Sequence, residues 1–101
     1  MEKVINIDNK NIKFKSTAAT PLRYKAQFGR DFFNDLMKLE PENTELDTEV
    51  IYNIIWVLAK TADKTIPPLI EWLDEFDSIE VGEVITEVKD MILASIKSKK
   101  K

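Results

Sequence analysis

Neither cysteine nor histidine occurs in this chain of 101 residues, and glycine occurs only at positions 29 and 82. Without cysteine there are no disulfides and no thiolate metal ligands, which suits a reducing compartment. Without histidine there is no imidazole base for a serine or cysteine triad and no histidine metal site. Two isolated glycines do not make a phosphate-cradling loop. No apolar run approaches the roughly 20 residues that a membrane helix needs. The N-terminus lacks the basic-then-apolar pattern of a signal peptide. The expectation is a cytoplasmic protein.

What remains is a chain long enough for one core and too short for two. At 44% hydrophobic and 33% charged residues, it is too apolar to stay disordered. The net charge of −3 is unevenly spread. Residues 1–30 carry seven Lys/Arg against Glu2 and Asp8, residues 31–90 carry sixteen Asp/Glu against four lysines, and the last eleven add four lysines. An acidic body disfavours duplex nucleic acid, where phosphate neutralisation supplies most non-specific affinity. The basic ends suit an acidic surface on a partner or on a second copy. The plainer alternative is a set of scattered, solvated lysines.

Residues 3–15 alternate as strands do, with Ile5 and Ile7 on one face of the first and Ile12 and Phe14 on one face of the second. The intervening Asp8-Asn9-Lys10-Asn11 is a turn signal, because Asn and Asp tolerate positive φ. A two-residue loop at Asn9-Lys10 pairs Ile7 with Ile12 and Ile5 with Phe14. Such a hairpin is marginal alone and needs a helix across its apolar face. Thr20 as N-cap with Pro21 at the first helical position opens a helix over about 21–28. Gly29 then reads as a left-handed C-terminal residue and Asp31 as a fresh N-cap. The next helix, about 31–40, carries Phe32, Phe33, Leu36, Met37 and Leu39. A single helix kinked at Gly29 is the alternative.

Pro41 to Thr44 form a loop, after which Thr44 or Asp47 caps a third helix over about 47–62, with Glu45 and Glu49 near its positive end. Its body from Val50 to Ala59 is apolar nearly all round, so it is central to the fold or shows one face to a partner. Pro67 and Pro68 fit within the first turn of a short helix over about 67–76, with Ile66 extended before them. Leu69, Trp72, Leu73 and Phe76 form its apolar stripe. Ser78 caps a last helix over about 78–97, where Val81, Val84, Ile85, Val88, Ile92 and Ile96 follow helical spacing. The fold class is therefore α+β, predominantly α-helical: one domain over 1–101, with a two-stranded hairpin packed on four to five helices.

Candidate chemistry is sparse. Glu71, Asp74, Glu75 and Asp77 invite a divalent cation or an acid/base pair. They lack the calcium-loop spacing, and most of them share a helix face turned to water, opposite Trp72 and Phe76. No catalytic, cofactor or metal residue is assigned. Tyr52 and Trp56, four apart on the third helix, stack on one face while Ile51, Ile54, Ile55 and Leu58 take the other. If the fold leaves that face open, Tyr52, Trp56 and Ala59 form an aromatic docking strip of the kind found at interface centres. Trp72 and Phe76 pose the same choice. The alternative is that all these rings fill the core.

Two pieces of the chain carry a resemblance. One is VINIDNKNIKFKSTAATPLRYKAQFGRDFFNDL: hairpin, alanine-threonine linker, helix opening at Thr20-Pro21, then FGRD and an apolar helix. The other is the apolar third helix ending at LAKTAD, followed by PPLIEWLDEF. In order and spacing they resemble the tail assembly chaperones of long-tailed phages infecting Gram-positive hosts, over most of the chain. Asn9 departs from the glycine expected in the hairpin turn, though asparagine adopts the same backbone. The resemblance implies a non-enzymatic protein that binds the tape measure protein, keeps it soluble and recruits tail tube subunits. It further implies a protein of the host cytoplasm, absent from the mature virion. The family commonly makes a longer form by programmed ribosomal frameshifting. The adenine-rich lysine codons of the closing KSKKK fit such a slippery site, as they fit a simple basic tail. Two other readings stand beside it. One is a small DNA-binding regulator with a helix-turn-helix-like element around Gly29; the other is a metal-dependent hydrolase using the carboxylate cluster.

Overall fold

A computed structural model describes residues 1–39 and 47–97. The element order is β1 (Glu2–Ile7), β2 (Lys10–Lys15), α1 (Thr20–Phe28), α2 (Phe32–Met37), α3 (Thr48–Ala62), α4 (Leu69–Leu73) and α5 (Val81–Lys97). This is an N-terminal hairpin on five helices, α+β and predominantly helical. The expected loop at 41–44, Thr44, Glu45, the closing residues 98–101 and the side chain of Ile96 lie outside the described residues.

The hairpin forms one residue earlier than the loop at Asn9-Lys10 would place it. Asp8 and Asn9 are the two central residues, at φ 53° and 64°, a pair of left-handed residues that matches the twist of a tight hairpin. The register becomes Ile7 opposite Lys10, Ile5 opposite Ile12 and Lys3 opposite Phe14. Moving the loop by one residue shifts the partner of each β1 residue by two. Face parity survives, so Ile5, Ile7, Ile12 and Phe14 still share the inner side. The tip is tied down by the Asp8 carboxylate, which accepts from the Asp77 N–H at 2.9 Å. Lys10 donates to the Glu75 carbonyl and lies 5.0 Å from the centre of the Phe76 ring.

Helix ends follow their side chains, with some exceptions. Gly29 is left-handed at φ 69° and its N–H bonds the Lys25 carbonyl. Asp31 caps α2 by accepting from Asn34 N–H at 2.7 Å, and Asp47 caps α3 by accepting from Glu49 and Val50. Thr20 is not the cap of α1: it is the first helical residue, and its hydroxyl accepts instead from Thr17 N–H upstream at 2.9 Å. Helix α2 stops at Met37, short of 40. Helix α4 starts at Leu69 because Pro68, at ψ 161°, stands before it as N-cap. Pro67, preceding a proline, is held out of the helical region. Ser78 lies outside α5, whose first turn is closed by the Glu80 carbonyl accepting from Val84.

Helix α3 is the axis of the core. It packs against β2, α1, α2, α4 and α5, and Ile51, Ile54, Ile55, Leu58 and Ala59 are fully buried. A helix apolar on every side is stable in water only when neighbours cover every side. Here they do. Val84, Ile85, Val88, Met91 and Ile92 of α5 and the inner face of the hairpin complete the core.

Candidate functional site

The expected docking residues are largely inside. Trp56 is 6% exposed, Trp72 2%, Phe76 9% and Ala59 0%; only Tyr52 is half-buried. Trp56, Ala59, Trp72 and Phe76 are therefore core residues rather than an exposed strip, and Tyr52 packs at the edge of that core. The reason is local packing that a helical wheel does not contain. Trp56 donates its indole N–H to the Pro67 carbonyl at 2.9 Å and meets the edge of Phe28 at 5.9 Å between ring centres. Trp72 and Phe76 stack edge to face at 5.2 Å beneath the Lys10 side chain.

The apolar side chains left outside are different ones. Phe33 is 43% and Met37 58% exposed on α2, Leu22 is 74% exposed on α1 and Ile70 68% exposed on α4. Phe33 and Met37 are one turn apart and so lie on one face. Helix α2 has two such stripes side by side. Phe32 and Leu36, with Leu39 just beyond the helix, are buried, and the second stripe faces water. Five apolar residues within eight exceed what one face of a two-turn helix can bury. That excess was the signal available in the sequence.

A buried polar cluster orders this region. Asp35, 1% exposed, accepts from Tyr24 Oη at 2.7 Å, from Arg30 Nε at 2.6 Å and from Arg30 Nη2 at 2.9 Å. The fork-like arginine contact is the strong, bidentate kind. The Tyr24–Asp35 bond spans the Gly29 turn and ties α1 to α2, while Arg30 fastens the intervening turn to the same carboxylate. The Arg30 hydrogen bonds hold the Asp35 carboxyl below the usual carboxylate range, against the opposing effect of burial. Burial, then the bond to Asp35, pushes the Tyr24 hydroxyl well above its ordinary value. Arg30 is raised through its bonds to Asp35. Tyr24 and Phe28 follow one helical turn apart, but no periodicity brings Tyr24, Arg30 and Asp35 together. The available signal was an acidic residue on the buried stripe of a short helix.

The carboxylates Glu71, Asp74, Glu75 and Asp77 are all exposed. Among the described residues, no three acidic side chains sit close enough together to hold a metal ion. Helix α2, the second of the pair around Gly29, has the sequence FFNDLM and carries no basic side chain. Among the described residues no helix is long and apolar enough to cross a membrane. No family model, curated protein or solved structure matches the chain.

Proposed function

We propose that this protein is a non-enzymatic tail assembly chaperone of a long-tailed phage. It binds the tape measure protein in the host cytoplasm, keeps it soluble and helps to bring in tail tube subunits. The observation that carries the reading is the outward pair Phe33 and Met37 on a helix held rigid by Asp35. A large ring and a flexible thioether, one turn apart, form an adaptable apolar surface of the sort that takes an amphipathic helix. A long helical tape measure displays such helices until the tube closes round it. Each copy needs only moderate affinity, because many copies on one long partner gain by avidity and can still leave.

The resemblance in hairpin, linker and helix order supports the same reading. The test is affinity capture of the tape measure protein encoded beside this gene. A complex at micromolar concentrations is expected, and its absence would count against the proposal. Magnesium, calcium and DNA are expected to give no binding heat in calorimetry.

A further inference from the structure

The hairpin has an open edge beside an acidic wall. Met1 and Ser16 exchange two backbone hydrogen bonds, at 3.0 Å and 2.8 Å, so they are a hydrogen-bonded pair of the antiparallel ladder. Such pairs alternate, which assigns Lys3, Ile5 and Ile7 to bonds with β2. The N–H and C=O groups of Glu2, Val4 and Asn6 point the other way, and no backbone group among the described residues meets them. Val4 is 55% exposed. No proline or bulge blunts this edge, whereas the opposite edge carries Lys13 and Lys15, a common guard against strand pairing.

Along the β1 side runs a cleft of about 300 Å³, bounded by residues 5–8 and by Glu80, Glu83 and Glu87. The three glutamates, spaced three and four apart, form one stripe at the start of α5. Lys3, on the inner face of β1, already reaches Glu87 at 2.9 Å. The fold thus supplies its own example of a strand lysine meeting this wall. Glu80 and Glu83 make no ion pair among the described residues, and no metal ion fits there.

We infer that the β1 edge takes up an extended segment of a partner protein by strand addition, with lysine or arginine at that segment's alternate, inward positions. Backbone bonds to Val4 and Asn6 would supply affinity and the glutamates selectivity. The spacing agrees. Inward residues of a strand recur about every 6.6 Å, and Glu80 and Glu83 are separated by about 4.5 Å of helix rise, a difference long side chains absorb. This inference does not rest on the chaperone reading.

The test uses the full chain, isotope-labelled for amide exchange, with two peptides of about ten residues. One alternates lysine with threonine, and the other has the same composition with its lysines in one block. The alternating peptide is expected to slow exchange at Val4 and Asn6 about tenfold or more and to leave Asn11 and Lys13 unchanged. The double variant Glu80→Lys, Glu83→Lys should keep its helical signal and bind about tenfold more weakly. Equal binding of the blocked peptide, binding without protection at Val4 and Asn6, or indifference to the charge reversal would overturn the inference. So would concentration-dependent protection of the same amides in the protein alone, which would assign the edge to a second copy.

Discussion

Asp35 carries a charge in the interior, and its three hydrogen bonds make that tolerable. Removing the hydroxyl that bonds it, by Tyr24→Phe, leaves the ring packing intact. The change is expected to cost about 1.5–3 kcal/mol, the range for a hydrogen bond to a charged group; urea unfolding at pH 7 checks it. The pH dependence follows from the direction of each shift. Asp35 is depressed in the folded state, so its contribution is present above the unfolded value, about 3.9, and is lost as pH falls through the folded one. Tyr24 is raised, so its contribution is intact below about 10 and is lost as pH rises through the folded value. Stability from this cluster is therefore flat between about pH 5 and 9. Asp35→Asn is expected to lower the plateau and to shrink the acid-side loss. An unchanged acid limb in that variant would contradict the assignment.

At the scale of elements, turns and caps decided where segments begin and end. The two glycines make opposite predictions. Gly29 sits at φ 69°, and an L-residue there is strained, so Gly29→Ala is expected to destabilise by about 1–2 kcal/mol. Gly82 lies in the first turn of α5 with nothing within 4 Å of an added Cβ. Gly82→Ala is expected to be neutral or to stabilise by up to about 1 kcal/mol. Thermal melts should show a lowered midpoint for Gly29→Ala and an unchanged or raised one for Gly82→Ala.

Much at this scale was legible in the sequence. Alternation fixed the inner face of the hairpin although the loop slid by one residue, because the slide preserved parity. Asp31, Asp47 and Gly29 announced their helix ends through side-chain chemistry that acts within a few residues. Thr20 and Ser78 misled, because a hydroxyl near a helix start can bond upstream or not at all, and only the tertiary path of the linker decides. The candidate site was the least legible part. Whether Trp56 faces water depends on Phe28 and the Pro67 carbonyl, each far from it in sequence, and no periodicity reports such neighbours.

For the whole molecule, α3 is so thoroughly enclosed that Trp56 has almost no surface to offer and Tyr52 only part of its ring. The proposed contact surface lies among what the core does not absorb, on α2 with Phe33 and Met37. Met37 is mostly exposed and Phe33 touches the core through the Phe32 ring at 5.4 Å, so the double variant Phe33→Glu, Met37→Glu should stay folded and lose about 1 kcal/mol. Leu58→Ala, by contrast, opens a cavity in the core, where Leu58 is fully buried, and is expected to cost about 2–5 kcal/mol. The decisive measurement is the soluble fraction of the tape measure protein when co-expressed with either form of this chain. If the chain is a chaperone acting through Phe33 and Met37, the native form keeps it in the supernatant, while the still folded double variant lets it sediment. Equal solubility with both forms, or sedimentation with the native chain, would contradict that reading.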